Sequence, residues 1–233
     1  AVLQTLHMPY RGAEIELLLK HGGAKAIVCL GQGKDFNPAE AVLAMQPRHF
    51  VAVGTCFEYD TAGPMPLHEE LSHERPVHIY SACKLALKTV ALQLAAEDKV
   101  PLVWARIFYL YGPFEDPRRL VPHVVARLRD GQPVQLRSHG HQVRDFLHVD
   151  DVASGLDFAA RHWQPGVVNI ARGEGITVRE LTRHIARQFD GESLLSFASD
   201  DTPLPEPMVV VGDSERLRSL GWQPTIAAGD EVQ

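Results

Sequence analysis

The sequence predicts an α/β fold: a parallel sheet with helices on both faces, followed by a stretch of different character. Three observations predict it. Strand and helix patterns alternate from Ala13 to Leu110, the order that builds crossover units. The segments 24–30, 49–53 and 102–110 read as fully buried strands bounded by turn residues. After Pro113 the elements shorten and mix, so the chain does not simply continue the first pattern.

Each element has its own reason. Residues 13–20 carry a helical period that His21-Gly22-Gly23 ends. The strand at 24–30 delivers Gly31-Gln32-Gly33 at its carboxyl end, where an open α/β sheet places ligands. Spacing alone leaves a plain tight turn equally open there. Residues 38–45 form a short helix with proline in the first turn, and 49–53 the next buried strand. Between Tyr59 and Val77 the chain is rich in glycine, proline and acids, which is loop chemistry. Residues 79–97 are helical, and Ala82, Ala86, Val90 and Leu94 are expected to form the apolar stripe of that helix.

Past Pro113, residues 120–128 read as an amphipathic helix ended at Asp130-Gly131. Short strands at 133–136 and 143–149 flank a His139-Gly140-His141 turn, and Asp150-Asp151 caps a helix to Ala160. A strand at 167–171 precedes a helix at 177–189, where Thr177 and Glu180 have capping-box spacing. A strand at 193–198, a proline-broken loop, a strand at 209–211 and a helix at 213–220 follow.

Composition excludes several function classes. The 233 residues fit one large domain or two small ones, and 45% hydrophobic with 22% charged residues is ordinary globular composition. A formal charge of −6 gives no electrostatic reason to expect nucleic acid or an anionic membrane as partner. No apolar run approaches the roughly 20 residues of a membrane span. Cys29, Cys56 and Cys83 lack metal-ligand spacing and read as reduced thiols of a cytoplasmic protein. The 12 histidines are scattered, so they read as surface groups and no metal site is expected.

The chemistry-bearing stretch runs from Gly54 to Lys84. Tyr80 and Lys84 are four apart, hence one turn apart on one helix face. A free tyrosine titrates near pH ~10, and an ammonium held close favours the phenolate. Such a phenol can take a hydroxyl proton while a hydride leaves the same carbon. Thr55, at the end of a strand facing that helix, offers a hydroxyl to the substrate oxygen. With five tyrosines and six lysines in the chain, accidental pairs of this spacing number roughly 0.13, so the pair needs its context.

That context is a set of phrases in order. They are Val53-Gly54-Thr55 with Tyr59, Tyr80-x-x-x-Lys84, and Arg106-x-Phe108-x-x-Tyr111-Gly112-Pro113. After them come Arg144-Asp145-Phe146-x-His148-Val149-Asp150-Asp151, Asn169-Ile170-Ala171-x-Gly173 and Leu220-Gly221-Trp222-x-Pro224. Together they resemble the extended short-chain dehydrogenase/reductases that act on nucleotide sugars, the NAD-dependent epimerase/dehydratase family. The resemblance implies a Rossmann-type, doubly wound sheet with a smaller α/β substrate-binding domain. It assigns residues 1–111, with a return strand near 166–171, to the dinucleotide, and 112–165 with 172–233 mainly to the substrate. It implies Thr55, Tyr80 and Lys84 as the catalytic set. Gly31, Gly33, Val53, Tyr80, Lys84, Ile107 and Phe108 would meet NAD or NADP. Thr55, Tyr109, Leu120 and Arg144 would meet a nucleotide-diphosphate sugar, Arg144 through its forked cation. A surface ion pair of Arg144 with Asp145 or Asp150 is the plainer alternative, and Arg106 in mid-strand reads as paired in the core. The family also implies a homodimer built on the Tyr80/Lys84 helix and the helix before it.

Departures from the family pattern narrow the expectation. No Gly-x-x-Gly-x-x-Gly turn occurs, so the family's first βαβ unit and ribose-binding acid are expected ahead of Ala1. The interval between Leu30 and Phe50 is short for the family's strand-helix-strand. Cys56-Phe57 stand where the family's 4,6-dehydratases carry Asp-Glu, which disfavours dehydration and leaves 4-epimerase or 4-ketoreductase. Cys56 reads as a buried small hydrophobe, and Glu58, on the face opposite Phe57, as structural. A non-catalytic relative that binds a dinucleotide or a protein is the alternative.

Overall fold

A computed structural model describes residues 50–162, 165–203 and 207–232. The elements expected at 13–20, 24–30 and 38–45, together with Gly31 and Gly33, lie outside the described residues. The described residues of 50–58, 76–106 and 156–168 gather into one unit; those of 59–75, 107–155 and 169–232 gather into a second.

The first unit is built on β1 (Phe50–Thr55), α1 (Ile79–Glu97) and β2 (Leu102–Ile107). β1, β2 and β7 (Gly166–Ile170) form a three-stranded sheet in that order. Phe50, Ala52, Leu102 and Trp104 from the strands pack with Ala91 and Ala95 of α1 and with Val100. Ser81 sets the start of α1, since its Oγ accepts from His78 N at 3.4 Å and donates to His78 O at 3.0 Å. The helix buries Ser81, Lys88, Ala91 and Ala95. The expected stripe is therefore corrected: Ala82, Ala86 and Val90 are exposed and Leu94 is half-buried. Alanine is neutral enough to sit on either face, so the position of the seam was set by packing against the strands.

The second unit follows from β3 (Tyr109–Tyr111), α2 (Leu120–Arg129), β4 (Val134–Gln135), β5 (Val143–Arg144) and β6 (Phe146–His148). It continues with α3 (Val149–Arg161), which starts there, and with β8 (Ile176–Thr177), α4 (Val178–Arg187) and β9 (Leu195–Ser196). β10 (Val209–Val210) and α5 (Glu215–Ser219) close it. β3 pairs in parallel with β6, β4 with β9, and β10 with β5, while β8 lies antiparallel to β5. The apolar centre is Tyr111, Val124, Leu128, Val134, Phe146, Leu181 and Ile185.

Two readings of the second half change. The single strand expected at 102–110 divides at Phe108, whose amide donates to Ile170 O while Tyr109–Tyr111 pairs with Phe146–His148. The single strand expected at 143–149 also divides, into β5, which takes β8 and β10, and β6, which takes β3. The capping box at Thr177 forms as spaced, with Thr177 Oγ1 accepting from Glu180 N and Glu180 Oε2 accepting from Thr177 N. Among the described residues no helix is long and apolar enough to cross a membrane.

Candidate active site

β1 ends at Thr55, and the chain turns at once into a single 3-10 turn, Cys56–Glu58. Thr55 is buried, its Oγ1 accepting from Phe57 N at 3.4 Å. Its amide donates to Glu58 Oε1 at 2.8 Å. Gly54 is required by close approach, because a Cβ there would overlap the Trp104 indole and the Glu58 carboxylate. Cys56 is outside any disulfide and 1% exposed, as expected of a small buried hydrophobe.

α1 runs unbroken through Tyr80 and Lys84, which places both on one face a turn apart. The Lys84 ammonium donates to Val53 O at 3.0 Å, so α1 brings its cation to the carboxyl end of β1, two residues from Thr55. Burial lowers the Lys84 pKa, and the facing charge of Glu58 opposes that shift. Tyr80 is 59% exposed. Three predicted groups, Thr55, Tyr80 and Lys84, together with Val53, thus belong to one unit and two elements.

Below them lies a network of buried charge. Glu58 and Arg106 are both fully buried and joined at 2.8 Å, which confirms Arg106 as a core partner. Trp104 Nε1 donates to both carboxylate oxygens, at 2.9 and 3.2 Å. Strand alternation already set Glu58 apart from Phe57; its partners were not readable from spacing.

In the second unit, Arg144 is 2% exposed and donates to Val143 O at 2.9 Å and Met208 O at 3.4 Å. Its Cζ stands 5.3 Å from the centre of the Tyr109 ring. Asp145 is fully buried as well, so neither residue lies on the surface. Asp145 instead accepts from three backbone amides, Arg172, Gly173 and Gly212. Burial pushes its pKa up to about 6 against the pull of those donors. Tyr109 and Leu120 are both partly buried against the core of this unit. Ile107 ends β2, and the Phe108 amide is committed to Ile170 O.

Other polar residues hold this unit's loops. Tyr59 Oη donates to Asn169 Oδ1, and the Asn169 amide group donates to Leu67 O and Asp213 O. Asp151 sits in the first turn of α3, and its carboxylate takes the amides of Thr225 and Ile226. The histidines are less peripheral than their scatter implied, with His139 and His148 buried at 7% and 1%. Among the described residues, two groups have mutual ligand distances within 4.8 Å, His68–Glu69–Asp213 and His148–Asp150–Glu231. Spacing could not find them, because each joins residues remote in sequence. In the first group each residue already accepts a backbone amide: Glu70 N on His68, Asn169 N on Glu69, Glu215 N on Asp213.

Comparison with known proteins shows the family and the fold. The family model described as NAD dependent epimerase/dehydratase matches residues 36–171, more than half of the chain. A dTDP-glucose 4,6-dehydratase of Streptomyces antibioticus is 35% identical over 136 residues, covering 57% of this chain and 40% of that protein. A trifunctional UDP-glucose 4,6-dehydratase/3,5-epimerase/reductase of Arabidopsis thaliana is 27% identical over 184 residues, 76% of this chain and 27% of its own length. The chain thus spans well under half of these relatives. Among solved structures, a Bacillus anthracis dTDP-glucose 4,6-dehydratase in complex with NAD superposes with a TM-score of 0.81 at 22% identity. It covers 95% of this chain and 74% of that one, and shows the fold to be the Rossmann-type α/β arrangement expected.

Proposed function

Because the chain belongs to the NAD dependent epimerase/dehydratase family, we propose that it serves an NAD(P)-dependent enzyme acting at C4 of a nucleotide-diphosphate sugar. The reaction is 4-epimerisation or 4-keto reduction. The observation that carries this reading is the Lys84 ammonium bound to Val53 O at the strand end that delivers Thr55, with exposed Tyr80 one turn away.

The residues present fit the nicotinamide end of such a cofactor: the half-buried Lys84 cation stands at the carboxyl end of a sheet strand, and Tyr80 precedes it by one helical turn. Val53, Tyr80 and Lys84 would hold that end, with the backbone of Ile107 and Phe108 beside the carboxamide. A bound nicotinamide supplies a site that accepts and returns the C4 hydride. Tyr80 takes the O4 proton as the carbonyl forms and gives it back on reduction. Lys84 favours the phenolate by its charge. Thr55 donates its O–H to O4 and fixes that oxygen. Arg144, with Tyr109 and Leu120, receives the diphosphate sugar, a guanidinium being suited to paired anionic groups.

Support for a sugar nucleotide comes from a solved neighbour at 25% identity and TM-score 0.71, crystallised with UDP-glucuronic acid and NAD. Dehydration is disfavoured despite the dehydratase relatives, because Cys56 and Phe57, the two residues after Thr55, carry no carboxylic acid, and the nearby Glu58 carboxylate is buried against Trp104 and Arg106. The nucleotide-binding portion is assigned to residues 1–111 with 166–171, and the remainder mainly to the substrate. The protein works in the cytoplasm, where its thiols stay reduced. It works as a homodimer.

The test is turnover of UDP-glucose, UDP-glucuronic acid and their dTDP counterparts with NAD, read by product epimer and by absorbance of the reduced nicotinamide. Epimer formed without net cofactor change marks a 4-epimerase, and consumption of reduced cofactor with a 4-keto sugar marks a reductase. Thermal stabilisation by NAD but by no sugar nucleotide, with no turnover, marks a binding protein and contradicts the proposal.

A further inference from the structure

Resting on the site just proposed, we infer that Glu58 is a positioning residue for Thr55: its buried carboxylate fixes the turn that presents the threonine hydroxyl to the substrate. Each described contact of that carboxylate is with a donor. Oε1 takes Thr55 N at 2.8 Å and Trp104 Nε1 at 3.2 Å; Oε2 takes Trp104 Nε1 at 2.9 Å and Arg106 Nε at 2.8 Å. The turn closes from the other side as well, because Thr55 Oγ1 accepts from Phe57 N. A hydroxyl oxygen that accepts this way keeps its O–H for donation.

Stability alone does not account for such a pair. Glu58 and Arg106 are 0% exposed, and burying two charges costs solvation that their attraction repays only with good geometry. An apolar pair of similar volume would fill the same space without that cost. What an apolar pair lacks is an acceptor for the Thr55 amide, three residues away and at the end of β1. Gly54, which leaves room for the carboxylate and the indole, belongs to the same arrangement. Glu58 also faces Lys84, where its charge counters the effect of burial on the ammonium.

The double variant Glu58→Met/Arg106→Met removes both charges and leaves none unpaired. Because the buried Trp104 and Thr55 N–H groups lose their acceptor, it is expected to fold but to melt below the parent chain, with kcat lowered about 100-fold, the scale of a misplaced reacting group, and with KM and NAD affinity unchanged. Thr55→Ala added to that background is expected to lower kcat no further, because Glu58 acts through Thr55. Should the double variant not fold, Glu58→Leu/Arg106→Met, which likewise removes the acceptor and both charges, carries the same measurement. Parental kcat in a folded Glu58 variant, or a Thr55→Ala loss that multiplies in full, overturns the inference. Tyr80→Phe is assayed beside them on UDP-glucose and UDP-glucuronic acid. If Tyr80→Phe is inactive while the Glu58 variants are not, only the role of Glu58 falls. If Tyr80→Phe is active, or the parent turns over neither sugar, the site reading falls and takes this inference with it.

Discussion

Lys84 reaches the backbone of β1 at 3.0 Å from a half-buried position, and a Tyr-x-x-x-Lys spacing had no means of announcing that contact. The spacing named the pair; the strand end was legible only from the apolar run that delivers Gly54-Thr55. Asp145 shows the opposite case, a residue inside a recognised phrase whose job was not readable. Its carboxylate gathers amides from Arg172, Gly173 and Gly212, positions remote in sequence. Burial raises its pKa to about 6, from the ~4 of an exposed aspartate. A group raised on folding binds an extra proton in the native state, so its stabilising contribution is full below pH ~4 and is lost as pH rises through about 6. Roughly two pH units at ~1.4 kcal/mol each cap the effect at about 3 kcal/mol. Asp145→Asn is expected to be destabilised relative to the parent at every pH, and by more at pH ~4.5 than at pH ~7, in urea unfolding. A gap that is flat or widens toward pH ~7 contradicts this account of Asp145.

At the scale of elements, α1 is the clearest success and the clearest correction. Its bounds follow from the sequence because a proline-rich loop stops before it and a helical pattern fills it. Its buried face did not follow, because Ala82 and Ala86 are exposed while Lys88 is buried. Small residues carry too little hydrophobic contrast to fix the phase of a helix. The division of 102–110 into β2 and β3 was hidden for a related reason: the run is apolar on both sides of Phe108 and carries no mark where the strand changes partners. The exposed face of α1 presents Ile79 at 85% and Val90 at 51%, with Ala82, Cys83 and Ala86 between them at helical spacing. Small side chains framed by two branched ones suit close packing against an identical helix. Val90→Asp is therefore expected to shift the protein from dimer to monomer in sedimentation equilibrium, with little change in melting of the monomer. A parent chain that sediments as a monomer at all concentrations contradicts the dimer.

At the scale of the whole molecule, fold and family were legible because six short phrases fall in family order over most of the chain. The family model and the solved neighbours agree with that reading. The identity of the sugar was not legible, since the groups that meet base and sugar come from loops whose lengths vary independently of the sheet. Everything proposed about the reaction depends on the phenol of Tyr80 exchanging a proton at the carbon that exchanges a hydride. Turnover and NAD affinity measured side by side in Tyr80→Phe test that most directly. The account expects kcat to fall by about 100-fold or more while the dissociation constant for NAD stays within about twofold, since the substitution removes one hydroxyl and keeps the ring. Near-parental turnover in this variant contradicts it.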